Sequence, residues 1–146
     1  CNALIENSVK KIKQIKKRDK DKPLSVIAPS IEWIKENCIV DVELEKYLPG
    51  PYTLILKKKN PNFLSYVSST DSLGVRIPKH DFIELIKKAN VLFITTSVNL
   101  SGKKPITKIS EISSKILKKV DYVIDSGELN GKPSTLIIDG KEVVRN

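Results

Sequence analysis

Ile5, Val9, Ile12 and Ile15 recur at helical spacing with lysines between them. This predicts an amphipathic helix over about residues 7–17, capped at its start by Asn7 or Ser8. Pro23 opens a short β-type run, Leu24–Ala28, and Ser30 starts a short helix through Ile31, Trp33 and Ile34. Asp41–Leu48 reads as another helix, stopped by Pro49-Gly50-Pro51. Tyr52–Leu56 is a strand that runs into Lys57-Lys58-Lys59. A loop over Pro61–Asp71 separates it from the strand Leu73–Ile77, which Pro78 stops. His80 or Asp81 caps a helix that turns Phe82, Ile83, Leu85 and Ile86 inward. Val91–Ile94 is almost wholly apolar and suits a central strand. Thr107–Leu117 carries Ile109, Ile112, Ile116 and Leu117 at helical spacing. Asp121–Asp125, Thr135–Ile138 and Glu142–Arg145 read as late strands.

Strands and helices interleave, so the expected class is α/β: a twisted mixed β-sheet flanked by helices. No repeat, linker or break in composition divides the chain, and residues 1–146 read as one domain. At 146 residues such a domain buries roughly two-thirds of its unfolded surface. The chain has no methionine and opens at Cys1 without a lead-in strand, which reads as part of a longer domain. No apolar run approaches the roughly 20 residues of a membrane helix, and no secretory signal stands at the N-terminus. Two cysteines, Cys1 and Cys38, give neither a disulfide framework nor a zinc spacing. A reducing, cytoplasmic setting is expected. The single histidine, His80, excludes a His-rich metal site and most Ser-His-Asp arrangements.

Charge changes the picture. Lys and Arg number 26 against 17 acids, a net of +9, and such a balance attracts polyanions: nucleic acid, nucleotide phosphates or an acidic membrane surface. The densest stretch is Lys10–Arg18, which also fits a solvated helix face. Four clusters could carry chemistry. Lys16-Lys17-Arg18, with Lys20 and Lys22, could hold phosphates or complement a helix C-terminus. Arg76 points away from Val75 and Ile77 in an apolar strand and needs an anion, either a structural carboxylate or a ligand's. Thr95–Gly102 follows the apolar Val91–Ile94 run and offers uncharged donors. It also reads as a plain polar turn. Gly127–Thr135 tempts a phosphate-loop reading, which fails because Pro133 follows Lys132 where Ser or Thr is required. No acidic pair is spaced for glycoside chemistry, and no metal-ligand set or Gly-x-Ser-x-Gly elbow is present. Cations and hydroxyls around a sheet edge bind anionic groups and stabilise developing negative charge.

In order along the chain, six segments resemble the YrdC-type family of L-threonylcarbamoyladenylate synthases. They are Cys1-Asn2-Ala3, Ile15–Arg18 with Asp21–Leu24, Leu48–Thr53, Gly74–His80, Thr96–Gly102 and Gly131–Thr135. The resemblance implies a YrdC-like sheet with a concave basic cavity. It implies an enzyme that joins L-threonine, bicarbonate and ATP into threonylcarbamoyl-AMP and pyrophosphate, with Mg²⁺ carried by the phosphates. A tRNA threonylcarbamoyl transfer machinery would act downstream, and tRNA or double-stranded RNA is a further partner. By the same resemblance Lys16 and Arg18 are catalytic. Arg18, Lys22, Ser72, Ser97, Asn99, Pro105 and Arg145 contact ATP, and Arg76, Thr95 and Ser134 line the threonine pocket. The family's Pro-Thr-x-Thr-x-Tyr-Gly-Leu strand segment has no counterpart here. Lys17, Asp19, Ile27 and Val98 also depart from the family pattern. Two rival readings remain. One is a nonenzymatic RNA-binding module of the same fold, which the charge supports equally. The other is the carbamoyl-adenylate domain of hydrogenase maturation proteins, whose zinc-finger-like cysteines are missing here.

Overall fold

The computed structural model describes residues 1–144. Seven strands among them form one mixed sheet: β1 (Ser25–Ile27), β2 (Cys38–Ile39), β3 (Tyr52–Lys58), β4 (Ser72–Arg76), β5 (Phe93–Ile94), β6 (Thr135–Ile138) and β7 (Lys141–Val143). The order is β5-β1-β4-β3-β6-β7, with β2 paired to the far end of β3. β1 runs parallel to β4, and β3 parallel to β6; the remaining pairs are antiparallel. The expected mixed α/β sheet is therefore the fold.

Register fixes which side chains share a face. Leu54 pairs with Val75 and Leu56 with Leu73, and these four join Val26, Ile94 and Ile137 in the main core. Helix α1 (Glu6–Ile15) adds Val9 to that face, and α2 (Ile31–Asn37) adds Ile34. Ser30 caps α2 by accepting from the Trp33 amide. On the opposite face, α3 (Phe82–Ala89) packs Ile83 and Ile86 against Ile27 and Phe93. α3 thus covers only the β1–β5 corner. Ser72, Gly74 and Arg76 alternate with the buried Leu73 and Val75, so they point to the face away from the main core.

Several readings are corrected. Neither Asn7 nor Ser8 caps α1, which follows Ile5 with no side-chain cap, and of the α3 residues expected inward Phe82 and Leu85 are exposed. Asp41–Leu48 is not a helix. One 3-10 turn, Leu44–Lys46, buries Leu44, Tyr47 and Leu48, which satisfies the apparent helical spacing, and Pro49 disfavours helical backbone at Leu48. Thr107–Leu117 breaks into a 3-10 turn, Ile109–Glu111, and a short helix α4, Ser114–Leu117. Its serines compete for backbone bonds: Ser113 Oγ accepts from the Lys115 amide and starts the second piece. Asp121–Asp125 pairs with no strand. Tyr122 and Ile124 are exposed, so β-type residues without a half-buried surface to fit do not make a strand. The Val91–Ile94 run lies inside the sheet as expected: the Ala3 amide donates to Leu92 O and the Ile94 amide to Cys1 O, so its backbone is bonded on both sides. β5 pairs with β1 on one side, and on the other meets Cys1–Ala3 through an Asn2–Phe93 bridge. Its apolar character reflects helices on both faces.

Gly50 donates its amide to Ile77 O and sits so close to the preceding turn that a Cβ would lie 2.5 Å from Tyr47 O. Gly50→Ala must displace backbone, and the expected cost is about 1–3 kcal/mol. A denaturant titration against the parent chain measures it, and an unchanged midpoint refutes the close approach.

Candidate active site

The residues singled out in the sequence fall into two groups on this sheet. At the first end, α1 delivers Lys16 into the loop that follows β5. Lys16 is 4% exposed. Its Nζ donates to Ser97 O at 2.5 Å, Asn99 O at 3.1 Å and Asn99 Oδ1 at 2.5 Å. Ser97 Oγ also donates to Asn99 Oδ1, and the Asn99 amide nitrogen donates to Lys103 O. The Ser101 amide returns a bond to Lys16 O, and the Ile106 amide closes the loop onto Val98 O. All three ammonium protons are therefore spent on the loop. Burial, and secondarily the neighbouring Arg18, lowers the Lys16 pKa to about 8.

Arg18 and Lys22 supply the more accessible cations: Arg18 is half-buried and Lys22 exposed. Arg18 Nη2 donates to Pro23 O at 2.8 Å, which ties the cationic segment to the entry of β1. Ser72, at the start of β4, has its Oγ 3.0 Å from Thr70 Oγ1. Thr95 directly follows β5 and is half-buried; Pro105 is exposed in the same loop as Asn99.

The second group lies at the other end of β4, about 13 Å from Ser72 at the usual rise per residue. Arg76 is half-buried there, paired in register with Ile27. Ser134, just before β6, is buried with its Oγ 2.7 Å from Thr53 Oγ1. Thr53 closes the Leu48–Thr53 segment but carried no site role in the sequence. Its place in the alternating pattern of β3, opposite in parity to Leu54 and Leu56, was the available signal. Arg145 lies outside the described residues. A cavity of about 370 Å³ adjoins the first end, lined by Lys16, Ser97 and Asn99 and by apolar side chains including Ile12, Ile112 and Ile124. Among the described residues no cluster of three His, Cys, Asp or Glu side chains could hold a metal ion, and no helix is long and apolar enough to cross a membrane.

A family model described as telomere recombination (Sua5/yciO/yrdC) matches residues 1–146. The chain belongs to the Sua5/YciO/YrdC family. A Methanocaldococcus jannaschii relative named putative threonylcarbamoyl-AMP synthase is 43% identical over 142 residues, covering 94% of this chain and 67% of that one. The structure of Pyrococcus abyssi Sua5 complexed with L-threonine superposes with a TM-score of 0.77 at 32% identity, over 94% of this chain. This chain spans only 42% of the Pyrococcus protein. E. coli YciO gives a TM-score of 0.79 at 25% identity, over 99% of this chain and 74% of its own. The family membership inferred from the six segments is therefore correct.

The low Lys16 pKa has a consequence for stability. Between about pH 8 and the usual lysine value the unfolded chain binds the proton that the folded chain has lost. Stability contributed through Lys16 therefore rises with pH across that window. Lys16→Met should lack this slope when the two proteins are unfolded in denaturant at pH 7.5, 9 and 10. Parallel pH dependences would refute it.

Proposed function

We propose that this chain forms threonylcarbamoyl-AMP and pyrophosphate from L-threonine, bicarbonate and ATP, for threonylcarbamoyl modification of tRNA in the cytoplasm. The observation that carries the reading is the shared face of β4. It presents Ser72 toward the Arg18, Lys22 and Ser97–Asn99 end and Arg76 toward the Ser134 end. Two anionic groups can thus be held on one surface, a triphosphate at the first end and an amino-acid carboxylate at the second. Relatives named threonylcarbamoyl-AMP synthase and the threonine complex of Pyrococcus Sua5 support the same reading.

The chemistry needs no protein nucleophile. The threonine amine captures CO₂ with loss of a proton, or bicarbonate with loss of water, and becomes a carbamate. A carbamate oxygen attacks the α-phosphorus, and pyrophosphate leaves with the displaced electron pair. The protein's work is placement and charge. Arg18 and Lys22 face the phosphates, and Lys16 adds a fixed positive field behind the Ser97–Asn99 loop. Arg76 takes the carboxylate with Ser134 on the same end, and Thr95, level with Gly74 between the two ends, bounds the threonine from the β5 side. Pro105 and Arg145 complete the nucleotide contacts. Mg²⁺ enters as part of the ATP substrate, carried by its phosphates.

Pyrophosphate release from ATP should require L-threonine and bicarbonate together and should not require RNA. A release assay on the full chain, omitting each component in turn, checks this. Absence of release in every mixture, with tight binding of duplex RNA that falls steeply with salt, would instead establish an RNA-binding module. L-Serine should react less well, because the missing methyl removes about 1 kcal/mol of apolar contact. Arg76→Lys should raise the threonine KM about ten-fold or more, since an ammonium cannot reproduce a guanidinium fork on a carboxylate. A normal threonine KM in that variant would remove Arg76 from the carboxylate site.

A further inference from the structure

Lys58 ends β3 in the same parity as Leu54 and Leu56, on the core face, and is 2% exposed. Its Nζ donates to Pro61 O at 2.6 Å, Ser68 O at 3.1 Å and Phe63 O at 3.2 Å. One ammonium group therefore gathers three carbonyls of the loop over 59–71. The Lys58 amide also meets Asp71 O at 2.7 Å, where that loop returns to the sheet.

The gathered loop touches the nucleotide end of the proposed site twice. From Ser68, a chain of hydroxyls runs to Thr70 Oγ1 at 3.0 Å and on to Ser72 Oγ at 3.0 Å. Val67 O accepts from the Leu24 amide at 3.0 Å, beside the Pro23 carbonyl that holds Arg18. Ser68 and Val67 are both buried, so the carrier of these contacts is packed in place. Arg76 and the Thr53–Ser134 pair are held instead by β3, β4 and the segment entering β6.

We propose that Lys58 is a positioning residue for the nucleotide end of the site. By caging the loop it sets Ser72 and the Arg18–Leu24 segment relative to each other, and it acts on ATP without touching it. The inference rests on the ATP reading above.

Its test compares the full chain with Lys58→Met, Thr70→Val and, as control, Lys35→Met, whose exposed amine pairs with Glu45 at 3.5 Å on the helix over the opposite face. Methionine keeps the length and apolar stem but leaves three carbonyls without their donor. Lys58→Met should raise the ATP KM about ten-fold or more while the threonine KM stays within two-fold, because misplacement is confined to one end. Thr70→Val cuts the hydroxyl chain at an exposed position and should shift the ATP KM in the same direction. It carries the test if Lys58→Met does not fold. Lys35→Met should behave as the parent. An unchanged ATP KM in the folded variants, or an equal rise in both KM values, overturns the inference alone. Failure of the parent chain to bind ATP in calorimetry overturns the ATP reading and the inference together.

Discussion

The antiparallel pairing of β3 with β4 is the constraint on which the rest depends. Leu54 opposite Val75 and Leu56 opposite Leu73 fill the core. The same pleat leaves Ser72, Gly74 and Arg76 on the other face. A slip by one residue would exchange the two sets, turning Arg76 into the core and Leu73 and Val75 out of it. Burying a guanidinium without an anion costs several kcal/mol, so core and site enforce a single register. The site layout is thus a by-product of packing.

Around that sheet the chain uses lysines as clamps on backbone oxygens. Lys13 Nζ donates to Lys20 O, Lys16 holds the loop after β5, and Lys58 holds the loop before β4. Burial lowers the pKa of all three. A net charge of +9 leaves fewer carboxylates than cations, and carbonyl dipoles take the place of acidic partners for these buried amines. Ion pairs such as Lys10–Glu6 and Lys35–Glu45 lie on the surface and contribute little. The outcome is a division of labour: buried lysines shape loops, while Arg18 and Lys22 remain near the surface.

The sequence showed most of the strands because short alternating runs bounded by Pro and Gly have few other solutions. Arg76 was legible for the same reason, since parity alone placed it opposite Val75. The Lys16 and Asn99 segments were legible as motifs, but not the geometry that joins them, which depends on contacts across 83 residues. Lys58 was hidden inside Lys57-Lys58-Lys59, where composition suggests a solvated run. Only the continuation of the β3 alternation separates it from its neighbours. Helical spacing misled at Asp41–Leu48 and Thr107–Leu117 because a 3-10 turn or two broken turns can bury the same apolar positions. At Asp121–Asp125, β-type composition had no sheet edge to join.

That last segment also governs how the protein behaves in concentrated solution. Tyr122 is 90% exposed and Ile124 83%, and Leu129 is exposed nearby. These apolar groups lie close to a cavity whose lining is itself largely apolar. Contiguous surface of this kind attracts its own copies. The excess of +9 opposes that attraction by mutual repulsion, over a range of about 10 Å at 0.1 M salt that shrinks to about 3 Å at 1 M. Colloidal stability therefore depends on ionic strength: dilute buffer keeps the chains apart, and high salt removes the repulsion while leaving the apolar surface in place.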